Sequence, residues 1–187
     1  FAQAGVGVSL ANVQNLAAFS IGYGGPPSLL TGFTPSPDQP VFALMPFSAT
    51  MGGTTKLYVG GDFSAVGGAP RSHVAAINPT TGAALDWNPS PNGRVRAMVP
   101  TSDGLVVFAG GDFRTIGGQS RDYVAAVSAT APAGDALPWN PAANAPVAGL
   151  VISGVNVLAG GEFTLIGGLA RERLGPLRRL GRTQERQ

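Results

Sequence analysis

Short apolar runs alternate with glycine- and proline-rich turns along most of the chain. Between residues 95 and 139 the pattern predicts four strands, at 95–99, 105–113, 123–127 and 137–139. Pairs such as Asp103-Gly104 separate these runs, and they favour tight hairpins because glycine adopts positive φ without strain. Helical periodicity is interrupted by glycine or proline wherever it begins. The pattern therefore predicts an all-β chain of short antiparallel strands.

A box of four residues, Gly-Gly-Asp/Glu-Phe, recurs three times with a spacing of 50 residues. At fixed offsets after each box come a second glycine pair and an arginine. The repeat positions to which we assign a structural role are Gly60, Gly61, Phe63, Gly67, Gly68 and Arg71, then Gly110, Gly111, Phe113, Gly117, Gly118 and Arg121, and finally Gly160, Gly161, Phe163, Gly167, Gly168 and Arg171.

A second motif lies between the boxes and consists of an aromatic residue followed by Pro and then Asn or Asp. Its members are Phe33, Pro35 and Asp38, then Trp87, Pro89 and Asn92, and finally Trp139, Pro141 and Asn144. Two motifs that keep one phase over three copies indicate a structural repeat. A unit of about 50 residues with four short strands is typical of a β-propeller blade.

The strand before each box is apolar at consecutive positions, at residues 57–59, 107–109 and 157–159. Strict alternation would indicate a sheet with one face in water, whereas consecutive apolar residues indicate a sheet covered on both faces. We therefore predict an incomplete β-propeller of about three and a half four-stranded blades. The predicted units are residues 4–56, 57–104 and 105–154, with a partial unit at 155–174.

A closed propeller needs about four to eight blades, so the count predicts a fragment of a longer chain. Its partners would be the missing blades or other domains of that chain, because an open end exposes an apolar sheet face. Residues 175–187 are basic and leave the repeat. We expect them to be a disordered tail or an artefact such as a reading-frame error, and the alternative is a native tail for a polyanionic partner.

The formal net charge of +2 comes from the end of the chain. Residues 1–170 carry six basic and eight acidic side chains, whereas residues 171–187 carry six arginines and two glutamates. A nucleic-acid surface needs basic residues spread over a folded face, so no nucleic-acid partner is predicted. The uncharged stretch 145–161 contains Gly and Asn and fits two strands and a turn, so we predict no membrane span.

The chain has no cysteine and a single histidine. Disulfide scaffolds, thiolate chemistry and cysteine-ligated zinc are thereby excluded, as is any site with two imidazoles. No nucleophile, base and acid form a recognisable set, and no glycine-rich loop has the order that binds a dinucleotide or a phosphate. We therefore predict no catalytic residue, no cofactor, no metal and no enzymatic activity.

The run Gly-Gly-Asp-Phe-x-x-x-Gly-Gly, followed by Arg, an Ala-Ala strand and Trp-Asn-Pro, resembles the delta-type β-propeller repeats of large secreted or surface-attached bacterial proteins. It is also similar to the repeats of fungal cortical cell-polarity markers. The resemblance covers residues 4–174. It implies an extracellular or cell-surface propeller, often within a multidomain chain, with no established activity and no catalytic residue to carry over.

Three acidic residues, Asp62, Asp112 and Glu162, recur once per unit and are speculative ligand-binding positions. They could form a ring of carboxylates for Ca²⁺ or for a cationic ligand. A feature present in every unit usually serves the fold. We therefore favour a local pairing of Asp62 with Arg71 across the intervening hairpin.

Trp87 and Trp139 could act as platforms on which sugars stack. Their repetition beside Pro and Asn favours packing and turn formation instead. His73 could act as an acid or base. Its equivalents in the other units are Tyr123 and Arg173, so we expect a half-exposed strand residue.

These features predict a non-enzymatic propeller module of a larger secreted or cell-surface protein. It would serve binding, adhesion or scaffolding, with a protein or a glycan as ligand. The alternative is a fragment of a quinoprotein-like propeller dehydrogenase, because residues 76–87 are loosely similar to the tryptophan-docking repeat of those enzymes. The Gly-Gly-Asp-Phe box is foreign to that repeat, so we prefer the binding module.

Overall fold

The computed structural model describes residues 15–20, 28–48, 55–170 and 174–177, the last stretch as backbone only. Within these residues the chain consists of strands and turns with no helix, which confirms the all-β prediction. The strands are β1 Val41–Phe47, β2 Lys56–Gly61, β3 Ala65–Val66, β4 Ala69–Pro70, β5 Val74–Ile77, β6 Val95–Pro100, β7 Val106–Gly111, β8 Thr115–Ile116, β9 Gln119–Ser120, β10 Val124–Ser128, β11 Val147–Ser153, β12 Asn156–Gly161, β13 Leu165–Ile166, β14 Leu169–Ala170 and β15 Leu174–Leu177.

Three antiparallel sheets share one strand order. The first sheet is β1-β2-β5, the second is β6-β7-β10 and the third is β11-β12-β15. A two-stranded hairpin (β3-β4, β8-β9 or β13-β14) is inserted after the middle strand of each sheet. The fourth strand predicted for each unit is reduced to a single bridge, Ile77 with Ala84 in the first sheet and Val127 with Ala136 in the second.

The register of the first two strands is the same in all three sheets. The opening pairs are Val41 with Gly61, Val95 with Gly111 and Val147 with Gly161. A bulge follows each of these pairs, at the next residue of β1, β6 and β11. Bulges bend a strand and re-aim the side chain they carry. Each sheet therefore presents its bulge residue in an equivalent place.

The core lies between the sheets. β1, β6 and β11 lie side by side, and the buried side chains form separate clusters on either side of the second sheet. Phe113 belongs to the cluster between the first and second sheets and Phe163 to the one between the second and third. Both phenylalanines are fully buried, because the box that carries them directs its aromatic side chain at the preceding sheet.

The two glycines of each box permit two different close approaches. A Cβ on Gly110 would lie 2.7 Å from Val147 Cγ1 of the third sheet, and one on Gly60 would lie 2.8 Å from Val95 Cγ1 of the second. A Cβ on Gly111 would overlap the carbonyl oxygen of Arg94 in the segment before β6. Because it has no Cβ, the first glycine allows the next sheet to pack closely against it. The second glycine allows close contact with the backbone segment that precedes the first strand of its own sheet.

The sheets are out of phase with the units predicted from the sequence. Unit 57–104 contains the second and third strands of the first sheet and the first strand of the second. Residues 175–177, expected in the tail, belong to β15 and pair with β12. Residues 1–14, 21–27, 49–54, 171–173 (with Arg171 and Arg173) and 178–187 lie outside the described residues. In the described part of the chain, no helix is long and apolar enough to cross a membrane.

Candidate functional site

The Asn or Asp of the second motif clamps the hairpin that follows each box. Asn92 Oδ1 accepts hydrogen bonds from the backbone N–H groups of Arg114 at 2.8 Å and Thr115 at 2.9 Å. The same bonds run from Thr164 and Leu165 to Asn144, and from Ser64 and Ala65 to Asp38. This motif therefore serves the fold, because one side-chain oxygen satisfies two backbone donors.

The three recurring acidic residues lie at equivalent places, one residue beyond β2, β7 and β12. Each is positioned by its own backbone, whose N–H donates to the carbonyl of the residue before the first strand of its sheet. For Asp112 that acceptor is Arg94, at 2.8 Å. For Asp62 and Glu162 it is Pro40 and Pro146. The carboxylates therefore lie in one row across the three sheets.

Two arginines of the second sheet connect this row. Arg94 Nη2 donates to Asp62 Oδ2, and Arg94 Nε lies 3.8 Å from Asp112 Oδ2. Arg96 donates two hydrogen bonds to Asp112, from Nε to Oδ1 at 2.9 Å and from Nη2 to Oδ2 at 3.0 Å. The Nη1 atom of Arg96 lies 4.0 Å from Glu162 Oε1. These five residues, Asp62, Arg94, Asp112, Arg96 and Glu162, form what we call the arginine–carboxylate array.

The predicted pairing of Asp62 with Arg71 is wrong. Arg71 Nη2 instead donates to the carbonyl oxygen of Leu85 at 2.8 Å, and Arg121 makes the same bond to Leu137. Arg71 and Arg121 therefore hold the bridging segments of the first and second sheets. The Asp62 carboxylate is instead bonded to Arg94 of the second sheet. The spacing of residues within one hairpin does not reveal this contact between sheets.

Arg94 and Arg96 are functional candidates that the sequence reasoning missed. The corresponding residues are Pro40 and Phe42 in the first sheet and Pro146 and Ala148 in the third. Arg96 is the bulge residue of β6, and the bulge turns its side chain towards the row of carboxylates. The signal in the sequence was the departure of two positions from the repeat, which becomes visible when the units are aligned.

The array is partly buried, except for the more exposed Glu162. The hydrogen bond from Arg94 lowers the pKa of Asp62 below its ordinary value of 3.8, against the opposing effect of desolvation. Charges on Arg94, His73 and Arg96 lower the same pKa further. Asp62 and Asp112 are therefore each paired with a guanidinium group. Among the residues that the structure describes, no group of three His, Asp or Glu side chains is spaced to hold a metal ion.

The two tryptophans have different surroundings. Trp87 is buried, meets Tyr58 edge to face at 5.0 Å between ring centroids, and donates its indole N–H to the Ser128 carbonyl at 2.7 Å. Trp139 is only half-buried and meets Phe108 edge to face at 4.9 Å. Trp87 thus has the geometry of a packing residue that joins two sheets, and a sugar has no access to its faces.

His73 lies one residue before β5 and is half-buried. Its φ of 61° is left-handed, as is the φ of 65° at its equivalent, Tyr123. The His73 N–H donates to the Phe63 carbonyl at 2.8 Å, and the His73 carbonyl accepts from Gly61 N–H at 2.9 Å. The backbone of this residue therefore closes the loop around the box, and no acidic side chain is bonded to the imidazole in the described part of the chain.

Comparison of the chain with family models, with curated proteins and with solved structures finds no match. The structural features that bear on function are the three equivalent sheets, the arginine–carboxylate array that crosses them and the exposed apolar surfaces of the outer sheets. Chemically, the array holds sheets together, because its carboxylates and guanidinium groups pair with one another.

Proposed function

We propose that this chain is a β-propeller repeat module of a larger secreted or cell-surface protein, related to the delta-type repeats that its motifs resemble. Its role is non-enzymatic, and it serves binding, adhesion or scaffolding. The observation that supports this proposal is that equivalent apolar residues are covered in the second sheet and uncovered in the sheets on either side of it.

A pair of equivalent residues in β1 and β6 illustrates this difference on the side of the first sheet. Met98 faces the first sheet and is 3% exposed, whereas its equivalent in the first sheet, Leu44, is 45% exposed. On the other side, Val99 is 9% exposed and its equivalent in the third sheet, Val151, is 52% exposed. Each outer sheet thus exposes apolar surface of the kind that a neighbouring sheet buries. Apolar surface in such a place marks an interface.

Further repeats of the same kind are the natural cover for these surfaces. The packing of sheet against sheet already occurs twice in the chain. The side-by-side arrangement of β1, β6 and β11 is compatible with inner strands around a propeller axis. The partners we propose are therefore the missing blades, or other domains, of a parent chain. Loops at the ends of the closed assembly would present the binding surface for a protein or a glycan.

The described charges favour a binding module over an enzyme. Two of the three recurring carboxylates, Asp62 and Asp112, are bonded to arginines, which favours a structural role over one as an acid or base. A cell-surface propeller is consistent with a chain that has no cysteine, since its stability would come from closure between blades. The net positive charge lies in residues 171–187, and residues 1–170 carry more acidic than basic side chains, so nucleic acid is not among the proposed partners.

Sedimentation equilibrium of the 187-residue chain tests the proposal. We expect reversible self-association through the two uncovered faces, and we expect Leu44→Asp and Val151→Asp each to raise the monomer fraction. Leu105→Asp is the matched control, because Leu105 is 54% exposed but lies beside a turn. A wild-type monomer that melts cooperatively would contradict the open propeller. Retention of pyrroloquinoline quinone absorbance after gel filtration would support the dehydrogenase alternative instead.

A further inference from the structure

Asn92 differs from the other asparagines of the chain in the residue that follows it. The eight asparagines are Asn12, Asn15, Asn78, Asn88, Asn92, Asn140, Asn144 and Asn156. Three of them precede proline, whose nitrogen carries no hydrogen. Asn92 is the one that precedes glycine, which has no Cβ and the greatest backbone freedom. The backbone nitrogen of Gly93 is therefore the least hindered nucleophile beside an asparagine side chain in this sequence.

The hairpin clamp places two hydrogen-bond donors on the carbonyl group that would be attacked. Asn92 Oδ1 accepts from the backbone N–H groups of Arg114 at 2.8 Å and Thr115 at 2.9 Å. Attack of a nucleophile on Cγ puts negative charge on this oxygen. Paired backbone donors at about 2.7–3.1 Å are the arrangement that stabilises such an oxyanion. The clamp that serves the fold therefore also favours attack at Asn92 Cγ.

The side-chain nitrogen that would leave has different surroundings in the second and third sheets. Asn144 Nδ2 donates to the Thr164 hydroxyl at 3.0 Å. The residue that corresponds to Thr164 is Arg114, whose guanidinium group is bonded to Asp122 at 3.1 Å. Asn92 is exposed, so solvent reaches its amide group. The hydroxyl that holds the amide nitrogen in the third sheet is thus replaced in the second.

We propose that Asn92 is a site of self-deamidation. The Gly93 nitrogen loses its proton to solvent and bonds to Asn92 Cγ. The bond from Cγ to Nδ2 then breaks, and the nitrogen takes up a proton and leaves as ammonia. The product is a cyclic succinimide, which water opens at one of its two carbonyl carbons to give aspartate or isoaspartate at position 92. This inference does not depend on the proposed binding role.

The two products should affect the fold differently. Aspartate keeps an oxygen for the clamp, as Asp38 does in the first sheet. Isoaspartate carries the main chain through the former side chain, which adds one methylene group just before Gly93 and Arg94. A Cβ on Gly93 would already lie 3.0 Å from Phe113 Cα, and Arg94 reaches from this segment to Asp62. Isoaspartate therefore loosens the contact between the first and second sheets.

Incubation of the folded full chain in mildly alkaline buffer, followed by digestion and mass spectrometry, tests the site. We expect Asn92 to convert at least about tenfold faster than Asn144, which has the same two donors but precedes Ala145. We also expect Asn92 to convert at least about tenfold faster in the folded chain than in urea, where the donors are lost. The comparison with urea separates the effect of the fold from that of the Asn-Gly sequence.

Ala145→Gly is the matched variant, because it places a glycine after the clamp residue of the third sheet. Conversion of Asn144 should rise in this variant, and conversion of Asn92 should stay unchanged. Gly93→Ala should suppress conversion of Asn92, and if it fails to fold, Ala145→Gly still decides. The separated isoaspartate form should unfold at a lower urea concentration than Asn92→Asp. The proposal is overturned if Asn92 converts no faster than Asn144, or no faster in the folded chain than in urea.

Discussion

The indole N–H of Trp87 donates to the carbonyl oxygen of Ser128 across 2.7 Å, and this bond ties the end of the first sheet to the third strand of the second. Trp139 occupies the same place in the next repeat but makes no such bond within the described residues. Two tryptophans that are indistinguishable by motif thus differ in exposure, since Trp87 is buried and Trp139 is half-buried. Trp87 joins two sheets, and Trp139 lines a pocket between the second and third sheets.

Replacing each tryptophan by phenylalanine should therefore have unequal effects on stability. Trp87→Phe leaves the half-buried Ser128 carbonyl without its donor, and we expect it to lower the free energy of unfolding by about 1 kcal/mol more than Trp139→Phe does. Urea unfolding followed by circular dichroism measures this difference. Equal losses in the two variants would mean that the bond to Ser128 contributes nothing net.

The clamp made by Asn92 should depend on its side-chain oxygen alone. Asn92→Ala removes the acceptor from two backbone N–H groups, and we expect it to lower the free energy of unfolding by about 1–2 kcal/mol. Asn92→Asp keeps the acceptor, and Asp38 already fills this role in the first sheet, so this variant should be nearly neutral. If both variants prove equally destabilising in urea titrations, the clamp has been assigned to the wrong atom.

The second glycine of the box should tolerate no side chain. Gly111→Ala places a Cβ against the carbonyl oxygen of Arg94, and overpacking against backbone costs about 1–3 kcal/mol or more. Gly149→Ala is the matched control, since nothing lies within 4 Å of its Cβ and the equivalent residues Ala43 and Ala97 are alanines. We expect it to leave the melting temperature unchanged or slightly raised. A harmless Gly111→Ala in thermal melts would contradict the packing described for the box.

Acid should weaken the fold through Asp62. Arg94 lowers the pKa of Asp62 below 3.8 in the folded chain. A carboxyl group with a lowered folded pKa contributes stability above its unfolded pKa, and this stability is lost as the pH falls through the folded pKa. We therefore expect the urea concentration at the unfolding midpoint to decrease as the pH is lowered below about 4.

Asp62→Asn should flatten that acid-dependent fall, because an amide does not titrate. Asp135→Asn is the control, since Asp135 is exposed and lies outside the array. Urea midpoints at several pH values between 7 and 2.5 make the comparison. If Asp62→Asn and Asp135→Asn give the same pH dependence as the wild type, Arg94 does not stabilise the folded chain through this carboxylate.

Local features were predictable because they depend on residues that are close in the chain. The strands expected at 95–99, 105–113 and 123–127 are found as β6, β7 and β10, each within about two residues of the predicted bounds. Their hairpins follow from glycines at positive φ, such as Gly104 and Gly117. The fourth strand was not foreseen as a single bridge, since how far a ladder extends depends on what covers its edge.

The sequence by itself determined the repeat, the all-β class and the positions that turn or pack in every unit, because tight turns and short apolar strand-forming runs depend on residues that are close in the chain. Only the tertiary structure decided that Asp62 meets Arg94 and not Arg71, and that Thr101 lines a pocket between the second and third sheets, whereas the equivalent Phe47 packs against Gly104. Both outcomes are contacts between different sheets. They depend on how one sheet is set against the next, and no spacing along a single unit encodes that relation.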